Sequence, residues 1–301
     1  MATQTQLRDA GKVRPGLTSA GHLTRRGRTL VQHTILHVLL IMAGITFLMP
    51  LLWIFSTSLK TAGQVFIIPV QWIPTQPQWF NFVEIFQILP LMSFIRNTAI
   101  VTALGTLGTV CSSLLVGYSL ARLRWPGRDY VFVLLIATMM LPFVVTLIPT
   151  FILFKYLGWL DTLLPLFVPS WFGQAFYIFL MRQFMVGLPI ELEEAARIDG
   201  AGSFRILVQV IAPLCGPAIA TVAIFAFLAH YNDFMGPLIY LSTNERFTLP
   251  LGIFWYQGRY GTSWHLVMAV STVALLPVII LFFAAQRYFI RGIALTGLAG
   301  R

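Results

Sequence analysis

Six long apolar stretches, none holding an Asp, Glu, Lys or Arg, alternate along the chain with short polar segments: Ile35 to Phe55, Thr98 to Leu120, Tyr130 to Phe154, Leu163 to Met181, Ile206 to Ala229, and Leu266 to Phe283. Each is about the length that a helix needs to cross a hydrocarbon layer, roughly 20 residues. No water is available there to satisfy backbone amides, so such segments fold as helices; a closed barrel shows a weaker, alternating signal of about ten residues. The pattern therefore predicts an all-α membrane protein with six transmembrane helices. The first stretch follows 34 mostly polar residues. It lacks a small-residue cleavage site and is longer than the apolar region of a signal peptide, so it reads as a retained span.

Composition supports the pattern and orients it. The 301 residues are 57% hydrophobic and only 10% charged, against about 25% charged in an average soluble domain. A soluble nucleic-acid binder would cluster its basic residues on a polar face, but here they lie between the apolar stretches despite a net charge of +10. Assigning successive polar segments to alternate sides puts fifteen Lys and Arg on one side and five on the other. Basic residues near span ends stay in the cytoplasm, so both termini are expected there, with no nucleic-acid partner and some contact with anionic lipid headgroups. The expected layout is a basic cytoplasmic tail over 1–32, a six-span domain over 33–287 with a polar loop at 187–212, and a second cytoplasmic tail over 288–301.

Several chemistries are missing. The chain has no G-x-x-x-x-G-K-[ST] run to cradle a nucleotide, so any energy must come from elsewhere. Cys111 and Cys215 sit in or beside apolar spans, with neither disulfide nor metal-ligand spacing. His33 and His37 are four residues apart at a membrane entrance, where interfacial histidines are commoner than metal sites, so no metal is expected. An ion-coupled transporter would place charged groups within its spans, and these hold none. A polytopic enzyme acting on lipid would need acidic or histidine clusters at a membrane face; the only dense acidic cluster lies in the 187–212 loop.

Polar groups do occur at the edge of the fifth span, in HYNDFMGPLIYL. If the helix runs on from Ala229 to Leu241, Asn232 and Asp233 lie in the outer part of the membrane and could face a solute path. Alternatively, they cap amides freed by Gly236 and Pro237. Pro50, Pro142, Pro149, Pro165, Pro169, Pro217 and Pro277 each remove a donor inside an apolar segment, so bent or broken helices are expected. In the second span Gly105, Thr109, Ser113 and Gly117 recur every four residues, a small-residue face that lets another helix approach closely. The segment from Thr243 to Trp264, with Phe254, Trp255, Tyr256 and Tyr260, reads as an outer loop. It suits either an interfacial aromatic belt or contact with a protein partner.

The 187–212 loop, GLPIELEEAARIDGAGSFRILVQVIA, reads as a short helix. Pro189 suits its first turn, Glu191, Glu193 and Glu194 favour its positive end, and Glu193 stands four residues before Arg197. Gly200 and Gly202 end it, and Ser203 can cap the next helix. Leu192, Ala195, Ala196 and Ile198 form a compact apolar knob of the kind that fits a partner's groove.

EEAARIDGA resembles the cytoplasmic motif of permease subunits in bacterial binding-protein-dependent ABC importers, which runs E-A-A, three residues, G, nine residues, I-x-L-P. Glu194, Ala195, Ala196, Gly200 and Pro213 match it; Val210 stands for the Ile and Ala212 for the Leu. Asn81-Phe82 followed by Asn97-Thr98, YSLARLRWPGRD, IPTFILFKYLGWLDT, FLMRQF and YNDFMGPLIY are similar to further blocks of the carbohydrate-uptake branch, as in the second permease of maltose-type systems. The resemblance implies a type I importer permease (MetI-like) bundle that is itself no enzyme and conducts a sugar or oligosaccharide, or else glycerol phosphate, a polyamine or another small solute. It implies that Glu193, Glu194, Ala195, Ala196, Arg197, Asp199, Gly200 and Ala201, within a Glu191 to Gly202 helix, meet a separate ATPase. The implied partners are a homologous second permease, two ATP-binding cassette subunits and an extracytoplasmic solute-binding protein; ATP is used by the partner and no cofactor is bound by this chain.

Overall fold

The structure is a computed structural model that describes residues 25–260 and 263–298. Most of the expected N-terminal tail, residues 1–24, lies outside that range. Among the described residues all regular structure is helical: α1 (Arg25–Ser58), α2 (Asn81–Ile88), α3 (Leu91–Arg122), α4 (Arg128–Thr138), α5 (Phe143–Tyr156), α6 (Leu164–Phe167) and α7 (Ala175–Val186) come first. They are followed by α8 (Glu191–Ile198), α9 (Ser203–Ile206), α10 (Ala212–Leu214), α11 (Gly216–Tyr231), α12 (Met235–Tyr240), α13 (Leu249–Tyr260) and α14 (Trp264–Leu298). The segment expected to be a C-terminal tail continues α14 as helix to Leu298.

Four stretches are long and apolar enough to cross a membrane: Gln32–Ser58, Leu91–Arg122, Leu164–Val186 and Trp264–Ala284. Two bent pairs complete six crossings, α4 with α5 at 101° and Ser203–Leu214 with α11 at 82°. Proline explains both bends. Pro142 begins α5 from an extended conformation (ψ 139°) and bars Leu141 from helical geometry. At the start of α11, Pro217 offers no N–H to the Pro213 carbonyl, so the helix breaks at Cys215; upstream, a π-helical turn over Leu207–Ile211 accommodates Pro213.

The chain forms two compact units, residues 1–52 and 53–301. The first holds the long apolar part of α1, where Thr34 and Thr46 return their hydroxyls to carbonyls four residues back. The second is organised around α3, which packs on α6, α7, α11 and α13. Its small-residue face explains that central place. At Gly105 an added Cβ would stand 2.7 Å from His230 Nε2, and at Gly108 2.5 Å from Trp171 Cδ1, so only glycine lets these rings lie on the helix backbone. Ser112 donates to the Ser170 carbonyl at 2.9 Å and the Ser170 hydroxyl meets His230 Nε2 at 3.2 Å, which pairs polar groups inside the bundle.

Two buried clusters divide this unit. One gathers Ile85, Leu91, Phe94, Phe154, Tyr240, Leu251 and Val270 around the start of α3. The other gathers Tyr118, Met181, Met185, Ile206, Ile211 and Ala226 around its end.

Candidate functional site

The polar loop after α7 folds as the short helix α8, whose first turn carries Glu191, Glu193 and Glu194 at the positive end of the helix dipole. It is shorter than the Glu191 to Gly202 span expected from sequence. Gly200 takes the left-handed conformation (φ 81°), its N–H donates to the Arg197 carbonyl at 3.0 Å, and the Ala201 N–H donates to the Ala196 carbonyl at 2.9 Å. These paired bonds are the Schellman closure that glycine permits, and they stop the helix at Ile198. Ser203 does not cap the next helix as expected: it is the first residue of α9, and Gly202 holds the cap position.

The loop's residues divide between two faces. Ala196 and Ala201 pack against the cluster at the end of α3. Leu192, Glu194, Ala195, Asp199 and Gly200 are exposed, and Ile198 is 87% exposed. Glu193, expected to be offered to a partner with its neighbours, is instead buried, because its carboxylate turns inward to a cation on another helix. Glu193 Oε1 stands 3.1 Å from Arg122 Nε, the last residue of α3, while Glu193 Oε2 lies 3.9 Å from Arg197, its expected partner four residues on. The Arg122–Glu193 contact is ionic and not an aligned hydrogen bond. Beside it opens a cavity of about 540 Å³ lined by Arg122, Arg124, Trp125, Ile190, Glu194 and Arg197.

At the start of α3 the polar chemistry differs. Asn97 Nδ2 donates to the carbonyls of Glu245 at 2.8 Å and Phe247 at 3.1 Å, and the Thr98 hydroxyl accepts the Leu249 N–H at 2.7 Å. Asn81 Nδ2 likewise donates to the Ser58 and Lys60 carbonyls. Asp161 reaches the same end from the loop after α5. Its Oδ1 accepts the N–H groups of Ser242 and Thr243 at 2.9 and 3.0 Å, and its Oδ2 accepts the Thr243 hydroxyl at 2.5 Å and lies 3.5 Å from Arg246. Partial burial works to raise the Asp161 pKa, but these donors and the Arg246 charge outweigh it and hold the carboxyl below the usual aspartate range.

The remaining candidates are placed as follows. The fifth-span helix does not run on to Leu241: α11 ends at Tyr231 and α12 starts at Met235. Between them Asn232 donates to the Leu228 carbonyl and Asp233 accepts the Gly236 N–H at 3.1 Å, the capping geometry. The segment expected to be a loop from Thr243 to Trp264 contains α13. Phe254 and Trp255 are exposed on it and pack edgewise or tilted on Phe234 and Phe247. Tyr256 is buried, and the Tyr260 side chain lies outside the described residues. Along α3, between α11 and α14, runs a cavity of about 690 Å³ whose walls, among them Ile95, Leu107, Ala223 and Leu276, are nearly all apolar, so it offers a hydroxylated solute few partners.

Sequence reasoning passed over Arg122, Asp161 and Arg246. Arg246 entered only as a sign of orientation, and Arg122 only as that and as one residue of the block YSLARLRWPGRD. The signal for Asp161 was its isolation, the single acid in the segment between the third and fourth apolar stretches.

Residues 113–295 match the family described as binding-protein-dependent transport system inner membrane component. SmoH, a sulfoquinovosyl glycerol transport system permease protein of Agrobacterium fabrum, is 34% identical over 254 residues, covering 84% of this chain and 89% of that one. UgpE, an sn-glycerol-3-phosphate transport system permease protein of Yersinia pestis, is 32% identical over 270 residues, covering 85% and 94%. The solved structure of a bacterial ABC transporter that imports the acidic polysaccharide alginate superposes with a TM-score of 0.75 at 25% identity, covering 90% of this chain and 100% of that one. With six crossings and a match over most of its length, the chain belongs to the binding-protein-dependent transport system inner membrane components: it is a multi-pass permease subunit of an ABC importer.

Proposed function

We propose that this permease conducts a sugar or oligosaccharide across the cytoplasmic membrane, with both termini in the cytoplasm, and is driven by a separate ATPase that grips α8. The observation that carries the reading is the division of α8 into a face seated on the bundle and a face, with Leu192, Ala195 and Ile198, left open. Helix-in-groove recognition needs such a short helix with an apolar anchor. Ile198 and Leu192 are that anchor, and Glu194, Asp199 and Gly200 border it. ATP belongs to the partner; this chain is a non-catalytic conduit that works with a homologous second permease and two ATPase subunits.

A soluble binding protein delivers solute at the opposite end, where Phe254 and Trp255 are the exposed aromatics on α13. Asn232, exposed at the break between α11 and α12, is the polar side chain offered to a passing solute, with Asp233 fixing the break. The names of SmoH and the alginate importer support a carbohydrate cargo, whereas UgpE favours a second reading in which the cargo is a glycerol phosphate.

Reconstitution of the permease pair with its ATPase subunits and binding protein tests both. Sugar-stimulated ATP turnover is expected. Stimulation by sn-glycerol 3-phosphate alone would replace the cargo, and failure of any ATPase subunit to copurify would overturn the reading.

A further inference from the structure

At the end of α3, one side chain holds three elements together. Arg122 is only 7% exposed, and Glu193 1%. While Arg122 Nε faces the Glu193 carboxylate, Nη2 donates to the carbonyls of Met185 and Leu188, each at 2.5 Å. Met185 lies in the last turn of α7, where its carbonyl also accepts the Leu188 N–H at 3.1 Å, and Leu188 lies just beyond that helix. The guanidinium fork therefore joins the end of α3, the end of α7 and the first turn of α8. Its planar donor arrangement suits this work, because one edge meets a carboxylate as another meets backbone oxygens. Beneath it, Arg182 on α7 donates to the Leu120 carbonyl at 3.2 Å and lies 3.8 Å over the Phe132 ring of α4, which binds the same helix ends from the other side.

What α8 has besides this is slight. Ala196 and Ala201 supply small apolar contacts to the cluster below, and Arg197 lies beside the Tyr118 hydroxyl of α3. Among the described residues no other ion pair links α8 to a spanning helix. A helix of eight residues has little stability of its own, so its order and its orientation depend on what anchors it.

We infer that Arg122 is a positioning residue for energy coupling: by holding Glu193 and the end of α7 at once, it makes α8 move as one body with α3 and α7. The inference rests on the docking role proposed for α8 and adds the joint through which a pull on that helix reaches the spans. Without the joint, displacement of α8 by a partner is taken up in the loops at 187–190 and 199–202 before it reaches α3. Two packed arrangements of the spans then lose the element that biases them.

The test uses Arg122→Gln, which keeps polarity and removes the charge, and Arg122→Lys, which keeps the charge and removes the fork. Amide hydrogen exchange over residues 191–198 of the isolated permease reads the joint directly. Solute-stimulated ATP turnover of the full complex reads transmission. Exchange at α8 is expected to rise in Arg122→Gln, with a smaller rise in Arg122→Lys, while stimulation falls by roughly two- to thirty-fold as for other coupling residues and unstimulated turnover is retained.

Unchanged α8 exchange in Arg122→Gln would overturn the joint and leave the docking role of α8 standing. Raised exchange with full stimulation would overturn Arg122's part in transmission. If Gly200→Asp on the docking face were equally without effect, the docking role itself would fall.

Discussion

At the start of α3 Asn97 donates to, and Thr98 accepts from, the backbone of residues 245–249, whereas Arg122 at its end adds to its two backbone bonds a purely ionic contact with a buried carboxylate. The first end is a closed structure. Side-chain amides, a hydroxyl and the Asp161 carboxylate satisfy backbone groups that would otherwise be buried bare, and each such bond contributes about 1 kcal/mol when made and costs about 1–3 kcal/mol when its partner is deleted. The second end is sparsely fastened and leaves an apolar tip at Ile198 in the open. Losing one partner of a buried ion pair there would cost about 3–5 kcal/mol, so the fastening is strong but concentrated on one side chain, Arg122, which also donates to the Met185 and Leu188 carbonyls. One end is built to keep its shape, and the other, in the function proposed above, to be gripped.

The sharpest way to separate the two ends is Gly200→Asp. Open space surrounds Gly200, and Asp tolerates left-handed backbone better than most residues, so the permease should still fold, with a loss of only about 1 kcal/mol from the positive φ. Solute-stimulated ATP turnover should nevertheless fall to the unstimulated level, because bulk and charge now stand at the docking tip. Asn97→Leu should do the reverse. Melting of the purified permease should show a loss of about 1–3 kcal/mol from two orphaned carbonyls, while the ratio of stimulated to unstimulated turnover in the folded fraction stays that of the parent.

Asp161→Asn makes the finest distinction. Asn keeps the left-handed tolerance that φ 55° demands and removes only the charge. A loss of about 1 kcal/mol is expected, since the remaining bonds become neutral. The sign of its pH dependence follows from a folded pKa lowered by the Thr243 and Ser242 donors and by Arg246, against burial. The carboxylate's contribution is complete above the ordinary aspartate value of about 4 and is lost as pH falls below it. Melting of the parent permease should therefore drop in that acid window more steeply than melting of Asp161→Asn.

Much of this fold could be read from residues alone. Six crossings follow from six uncharged runs because a bilayer admits little else, and two of the marked prolines, Pro142 and Pro217, stand at the two bends. The helix in the 187–212 loop was legible because Glu191, Glu193 and Glu194 with Gly200 mark its start and stop locally. What stayed hidden depends on contacts between distant segments. The 3.6-residue period pairs Glu193 with Arg197, but nothing in it points to Arg122, which lies on another helix. Asn97, Thr98 and Asp161 could be marked as resembling a family pattern or passed over, yet their targets are backbone groups that no side-chain pattern encodes. Glycine and clustered aromatics made α13 look like a loop, although packing of Tyr256 and Leu251 into the core holds it as a helix.

The central claim is that the open face of α8 is covered by the ATPase in the working complex. Ile198→Cys reports on it, because this side chain is 87% exposed in the permease and touches nothing the fold depends on. Its rate of labelling by a water-soluble maleimide, measured in the permease alone and in the assembled importer, should fall on assembly by about tenfold or more, as for a residue buried in a docked helix interface. Equal labelling rates in the two states, with ATPase subunits present and turning over, would contradict the account.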